Sequence, residues 1–194
     1  MGGFKTRWRQ EEDDDAPSAT GRPLPTTQRP RGPMLVVVCG LPGAGKTTVS
    51  EAVADRLDAP RLRTDVVRKA VLDDPDYTPE ETRQVYAALL DRARETVDRE
   101  GAAVLDGTFK YERQREAARE TAAELGVPFR LVKVECSEAV VRERIAAREG
   151  DESDADFDVH QLHREQFEPL DGEHVVVDND GSLDETMAQV DAVF

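Results

Sequence analysis

The chain has 194 residues, of which 26 are basic and 41 are acidic, and its formal net charge is −15. This length suits one domain with a sizeable core, together with a tail. An acidic chain repels nucleic-acid phosphates, so the composition disfavours a nucleic-acid-binding protein. The sequence has no apolar run of about 18 residues, which argues against a membrane-spanning helix, and no apolar segment of a secretory signal.

The basic residues are mostly arginine, since the chain has only five lysines. Such an acid-rich, lysine-poor composition resembles that of proteins from salt-loving microbes, in which carboxylates keep the surface hydrated. Cys39 and Cys136 each end an apolar run, so we expect two core thiols rather than a disulfide. Reduced thiols are typical of a cytoplasmic protein.

Residues 1–33 have little apolar content and combine an acidic run with a stretch rich in proline, threonine and arginine. This composition predicts a disordered N-terminal tail, which is either a solvated leader or a docking arm. Residues 34–194 form the predicted folded domain.

Within that domain, apolar runs alternate with helical patterns. The predicted strands are Met34–Cys39, Arg61–Thr64, Ala102–Leu105 (ending at Asp106), Phe129–Glu135 and His174–Val177. The predicted helices are Lys46–Leu57, Asp65–Leu72, Pro79–Arg99, Tyr111–Leu125, Ser137–Arg148, Val159–Phe167 and Leu183–Val193. This alternation predicts a three-layer α/β fold, with a five-stranded parallel sheet and helices on both faces.

The segment between the first strand and the first helix fits the pattern G-x-x-x-x-G-K-[ST], a phosphate-binding loop. Glycines permit a tight turn whose N–H groups converge on phosphate oxygens, and a helix N-terminus adds partial positive charge. The lysine reaches the β- and γ-phosphates, and the first threonine ligates Mg²⁺. The predicted nucleotide-binding residues are Gly40, Leu41, Pro42, Gly43, Ala44, Gly45, Lys46, Thr47 and Thr48.

Charged residues follow the next two strands, where ligands bind in such a sheet. Asp65 and Arg68 lie three residues apart on one helix face, where a carboxylate could deprotonate an acceptor hydroxyl and a guanidinium could hold an anion. Asp106 ends the third strand and is a candidate outer-shell Mg²⁺ residue. The structural alternatives are a helix cap for either aspartate and a solvated arginine.

The segment around residues 144–163 combines basic, acidic and histidine-containing stretches. Arg144 and Arg148 lie one turn apart at the edge of an acidic stretch, residues 149–158, which we interpret as a short lid. Arginines on a lid would neutralise charge on a transferred phosphoryl group. His160 and His163 lie on the following helix, and we expect a solvated helix face there rather than a metal site.

Five segments together resemble the P-loop small-molecule kinase group, in its zeta-toxin-like and polynucleotide-kinase-like branch. They are GLPGAGKTT, TDVVR, VLDGTF, RERIAAR, and FEPL followed by VVVDNDG. The resemblance implies a catalytic Asp65, acceptor-binding Arg68 and Arg113, and lid arginines at 144 and 148. It also implies that Asn179, in the loop after the last strand, packs near the adenine.

The sequence therefore predicts an ATP- and Mg²⁺-dependent kinase that phosphorylates a hydroxyl group of a small molecule. Lys46, Asp65, Arg144 and Arg148 are the predicted catalytic residues, and Thr47 and Asp106 the predicted metal residues. Two alternatives stay open at this point. One is a polynucleotide 5′-hydroxyl kinase, although no basic groove or pair of aromatic residues for stacking bases is conspicuous in the sequence. The other is a partner-binding regulatory ATPase.

Overall fold

A computed structural model describes residues 32–146 and 157–194, without the side chains of residues 145 and 146. Residues 1–31 of the predicted N-terminal tail lie outside the described residues. Arg148 and the acidic stretch up to position 156 lie outside them as well. In the described part of the chain, no helix is both long and apolar enough to cross a membrane.

Five parallel strands form one sheet in the order β2-β3-β1-β4-β5. They are β1 (Met34–Cys39), β2 (Arg61–Arg63), β3 (Ala102–Asp106), β4 (Phe129–Glu135) and β5 (Val175–Asp178). The described helices are α1 (Lys46–Leu57), α2 (Thr64–Val71), α3 (Pro79–Glu100), α4 (Glu112–Glu124), α5 (Glu138–Ala146), α6 (Phe157–Glu165) and α7 (Leu183–Asp191). The predicted fold class, sheet and helices on both faces are confirmed.

The central strand β1 is fully buried because its side chains alternate between two cores. Val36 and Val38 pack with α1 and α7 on one face of the sheet. Leu35 and Val37 pack with α3 and α4 on the other face. Both faces are therefore covered, which is why the strand reads as a continuous apolar run.

Element boundaries differ from the predicted ones by one or two residues. Thr64, predicted as the end of β2, begins α2 instead, and β5 extends to Asp178. The helix predicted from Val159 begins at Phe157, whose ring stacks on His160 at 5.5 Å between centroids. These differences matter for function because the carboxyl ends of the strands and the starts of α2 and α6 form the site.

Candidate active site

The loop between β1 and α1 has the backbone geometry of a phosphate-binding loop. Gly43 and Gly45 adopt left-handed φ angles of 82° and 91°, which residues with a Cβ rarely adopt. Gly45 is the N-cap of α1, and its lack of a side chain leaves the first N–H groups of the helix without a side-chain cap. Such groups are donors for an anion. The Lys46 ammonium donates to the Leu41 carbonyl at 2.9 Å, so it lies against the same loop.

Two buried side chains hold this loop by its carbonyl groups. The Asn179 amide donates to the Ala44 carbonyl at 2.8 Å, and Asn179 is 6% exposed. A Cβ on Gly45 would lie 2.0 Å from the Asn179 amide nitrogen, so the glycine is required for this approach. His160 Nδ1 lies 2.7 Å from the Pro42 carbonyl. The loop is thus fixed from the side of β5 and from the side of α6.

Asp106 lies at the end of β3, where its buried carboxylate accepts a hydrogen bond of 2.9 Å from the Ser50 hydroxyl. The guanidinium groups of Arg61 and Arg63 lie 3.5 and 3.9 Å from the same carboxylate oxygen. Thr47 and Asp106 line one cleft. One carboxylate and one hydroxyl fit Mg²⁺, which is commonly held by one or two carboxylates and the substrate phosphates. Because two arginines share the carboxylate, an outer-shell role suits Asp106 better than direct ligation.

Asp65 extends from the first turn of α2 into this cleft. Asp65 is exposed by surface area, but protein atoms of the cleft surround its carboxyl group and displace water from it. This desolvation raises the pKa of Asp65 above its ordinary value. Nearby Lys46 and Arg63 lower the pKa, whereas Asp106 raises it. A carboxylate with a raised pKa is a stronger base than an ordinary aspartate.

Arg68 and Arg113 face the same cleft from two different helices. The Arg68 guanidinium lies 4.7 Å from the centre of the Tyr77 ring, and the Arg113 guanidinium lies 4.3 Å from the centre of the Tyr111 ring. The cleft has a volume of about 870 Å³. The structure therefore does contain a basic groove with two aromatic side chains, which was not conspicuous in the sequence because the residues come from separate segments.

Arg144 lies on a different side of the loop from Asp65 and Arg68. Its guanidinium donates to the Asn179 carbonyl at 2.9 Å and to the Cys136 sulfur at 3.4 Å. A Cβ on Gly45 would be 3.5 Å from the same guanidinium. Arg144 therefore lies next to the start of α1 and the loop after β5, outside the cleft that holds Asp65. Its role in neutralising a phosphoryl group stays a prediction.

The expected solvated face of α6 is wrong. His160 is 3% exposed and contacts the phosphate-binding loop, and His163 lines the cleft with a buried Nδ1 that has no hydrogen-bond partner in the described part of the chain. Burial, followed by nearby Lys110 and Lys46, lowers the pKa of His163 to about 4. In the described ranges, no group of three or more histidine, cysteine, aspartate or glutamate residues could hold a metal ion.

Hydrophobic periodicity could not have revealed these histidines, since His160 packs on a main-chain carbonyl of the phosphate-binding loop and not in an apolar core. The two cysteines are free; Cys39 is buried, as expected, and Cys136 is half-buried. Burial raises the pKa of Cys39 to about 12, so this thiol stays protonated.

A family model described as "AAA domain" matches residues 35–170. The chain is 32% identical over 139 residues to the uncharacterized protein Rv2004c of Mycobacterium tuberculosis (strain H37Rv), covering 64% of this chain and 28% of that protein. The chain thus spans about a quarter of the length of this relative. It is 34% identical over 158 residues to an adenylate kinase of Thermobifida fusca, covering 71% of this chain and 82% of that protein.

Among solved structures, a gluconokinase from Sinorhizobium meliloti has a similar fold. Its TM-score is 0.63 and its sequence identity 25%, over 84% of this chain and 94% of that chain.

Proposed function

The chain belongs to the AAA domain family of P-loop kinases, and we propose that it transfers the γ-phosphoryl group of ATP to a hydroxyl group of a small molecule. One observation carries the choice of a hydroxyl acceptor. An exposed carboxylate, Asp65, lies in the same cleft as Lys46 and Asp106, and the desolvation that raises its pKa suits a general base. An acceptor that is already an ionised phosphate needs no such base.

In the proposed reaction, the acceptor oxygen attacks the γ-phosphorus as the bond between that phosphorus and the β–γ bridging oxygen breaks. The Asp65 carboxylate takes the hydroxyl proton, and ADP leaves. Lys46 and the loop amides bind the β- and γ-phosphates. Thr47 and Asp106 would hold Mg²⁺, and the ion would supply neutralisation of charge on the phosphate oxygens. Arg68 and Arg113 hold the acceptor, while Arg144 and Arg148 close over the transferred phosphoryl group and neutralise its charge.

Acceleration would come mainly from positioning and charge stabilisation, because phosphoryl transfer requires little covalent chemistry from the protein. Rates on the order of 1–100 s⁻¹ are usual for kinases. We place this reaction in the cytoplasm, where reduced thiols such as Cys39 and Cys136 persist.

A second candidate acceptor is a nucleoside monophosphate, and the 34% identity to an adenylate kinase favours it. The two reactions differ in their products. Transfer to a hydroxyl creates a phosphate monoester, whereas transfer to a phosphate creates a diphosphate.

The experiment incubates the full chain with γ-³²P-labelled ATP, MgCl₂ and four acceptor pools. The pools are fractionated small-molecule extract, AMP, a 5′-hydroxyl oligonucleotide, and water alone. We expect label in the extract pool and a phosphate monoester by ³¹P NMR. A labelled diphosphate supports the nucleoside monophosphate acceptor, labelled oligonucleotide supports a polynucleotide kinase, and hydrolysis alone supports a regulatory ATPase.

Lys46→Ala should abolish labelling in every pool, whereas the matched change Lys133→Ala, outside the cleft, should retain it.

A further inference from the structure

The cleft beside the phosphate-binding loop has the opposite charge balance to the rest of the chain. Among the residues that the structure describes, six lysine and arginine side chains line it, but only three carboxylates do. The whole chain has 41 acidic residues and 26 basic ones. The six cations are Lys46, Arg63, Arg68, Lys69, Lys110 and Arg113. An acidic protein has thus concentrated positive charge in one cavity.

Four of these cations lie away from the phosphate-binding loop, on α2 and around the start of α4. They are Arg68, Lys69, Lys110 and Arg113. In residues 32–146 and 157–194, none of the four forms an ion pair with a carboxylate. Arginines elsewhere do form such pairs: Arg94 lies 3.1 Å from Asp91 and 3.0 Å from Glu124. Asp65 and Glu81 act on Arg68 electrostatically but form no ion pair with it. Because carboxylates are abundant in this chain, four cations in one cleft without such a pair indicate a site for a negatively charged ligand.

Arg68 and Arg113 are also preorganised by aromatic rings. Each guanidinium lies over a tyrosine ring, Tyr77 in one case and Tyr111 in the other. A cation–π contact takes up no hydrogen-bond acceptor, so the N–H donors of both guanidinium groups can still bind an anion. Nη1 of Arg68 is buried and has no hydrogen-bond partner in the described part of the chain. An unpartnered buried donor is costly, and an anionic oxygen would offset that cost.

The other unpartnered buried side-chain atom of the described residues, Nδ1 of His163, belongs to the same cleft. Burial is the main cause of the lowered pKa of His163, and the nearby ammonium groups of Lys110 and Lys46 lower it further. The His163 imidazole is therefore neutral at physiological pH. The positive charge of the cleft comes from its lysine and arginine side chains.

We propose that the acceptor is a small hydroxyl compound that also carries a carboxylate or phosphate group, and that Arg68 and Arg113 bind this anionic group. Lys69 and Lys110, which line the same cleft, attract this anionic group electrostatically. The proposal rests on the proposed function, since it names the substrate class of the same site. Neutral polyols lack an anionic group that Arg68 and Arg113 could bind, so we expect them to be poor substrates.

The first test separates the extract on an anion-exchange resin before the reaction with labelled ATP. The bound fraction is eluted and further divided, with phosphatase treatment of one half to distinguish phosphate-bearing from carboxylate-bearing acceptors. We expect label in the eluted fraction and little in the neutral flow-through. If phosphatase treatment abolishes labelling of this fraction, the acceptor carries a phosphate group. If labelling survives the treatment, the acceptor carries a carboxylate group. Label predominantly in the flow-through would overturn the proposal while leaving the kinase function intact.

A second test does not depend on transfer. The chain is saturated with a non-hydrolysable ATP analogue and MgCl₂, so that the phosphate-binding loop is filled, and is then titrated with inorganic phosphate or malonate in a calorimeter. We expect binding of at least one anion that disappears in the Arg68→Gln, Arg113→Gln double variant. No anion binding to the wild-type chain would contradict the proposal. Anion binding without phosphoryl transfer to any pool would instead refute the proposed function alone.

Single variants then separate charge from geometry. With the active anionic fraction, Arg68→Gln should raise the KM for the acceptor about 10- to 100-fold and leave the KM for ATP unchanged. Arg68→Lys should restore part of this loss, because it keeps the charge but not the fork of donors. Arg99→Gln, at an exposed site on α3, is the matched control and should change neither constant. An unchanged acceptor KM in Arg68→Gln would remove Arg68 from the anion site.

Discussion

The side-chain amide of Asn179 is hydrogen-bonded to the main-chain carbonyl of Ala44 over 2.8 Å, so the loop after β5 holds the middle of the phosphate-binding loop. The amide oxygen in turn accepts a bond of 2.8 Å from the Thr186 hydroxyl on α7. Both polar ends of a buried side chain are therefore satisfied, and α7 is linked to the nucleotide site through Asn179. The predicted contact of Asn179 with the adenine stays a prediction.

This relationship predicts that Asn179→Ala weakens both folding and nucleotide binding. The change leaves the Ala44 carbonyl without its Asn179 partner, whereas the Thr186 hydroxyl keeps its bond of 3.2 Å to the Ser182 carbonyl. The free energy of unfolding should therefore fall by about 1 to 3 kcal/mol. Urea unfolding measures that loss, and calorimetric titration with an ATP analogue should show weaker binding. Thr186→Val is the control, because it keeps the bond to Ala44. It should lower stability but leave the nucleotide affinity within about twofold; an equal loss of affinity would mean that the Ala44 contact is not the important one.

Asp65→Asn should separate nucleotide binding from transfer. Asparagine has nearly the same shape but cannot take a proton, so transfer should fall by about 10²-fold or more while binding of the ATP analogue persists. The wild-type rate should rise with pH through the pKa of Asp65, which burial places above its ordinary value, and the variant should lack this dependence. A large loss of nucleotide affinity would instead assign Asp65 to the metal or to the fold.

The same residue should reduce stability near neutral pH. Since the folded-state pKa of Asp65 is raised, the folded chain holds this proton more tightly than the unfolded chain does. The contribution of Asp65 to stability therefore decreases as pH rises from the unfolded-state pKa through the folded-state pKa. We expect Asp65→Asn to have a higher free energy of unfolding than the wild type at pH 7, with the difference disappearing at low pH. A variant less stable than wild type at pH 7 would show that the charged form makes favourable contacts.

The sheet could be predicted from the sequence because parallel strands buried on both faces are continuous apolar runs, as in β1. The phosphate-binding loop could be predicted because its glycines and lysine stand at fixed spacing. The acceptor side could not be predicted to the same extent. Arg68 and Arg113 line one cleft because of the way α2 and α4 pack against the sheet, and the periodicity of neither helix indicates this.

Polar contacts between separate elements of the fold were the least predictable part of the site. The Asp106 carboxylate, expected to face the phosphates, also contacts Arg61 and Arg63 on the neighbouring strand. Register explains this, because Arg63 and Asp106 are directly paired between β2 and β3. Similarly, His160 was expected in solvent because its helix is polar, and only the approach of α6 to a loop carbonyl buries it.

His160 provides the last prediction, because it connects α6 to the phosphate-binding loop. Hydrogen bonding to the Pro42 carbonyl requires Nδ1 to carry the proton. His160→Phe keeps an aromatic ring to stack on Phe157 but leaves that carbonyl unpaired, so we expect a loss of about 1 to 3 kcal/mol in stability. The loop should also become less ordered, which weakens binding of the ATP analogue and increases hydrogen exchange of the amides at residues 43–48.

The matched control for this change is His174→Phe. His174 is also buried, and its Nδ1 lies 3.0 Å from the Gly172 carbonyl, before β5 and away from the phosphate-binding loop. This variant should lose comparable stability yet bind the ATP analogue like the wild type. Equal losses of nucleotide affinity in both variants would show that global destabilisation, and not the contact with Pro42, weakens binding. Full affinity and unchanged exchange in His160→Phe would mean that the loop keeps its shape without α6.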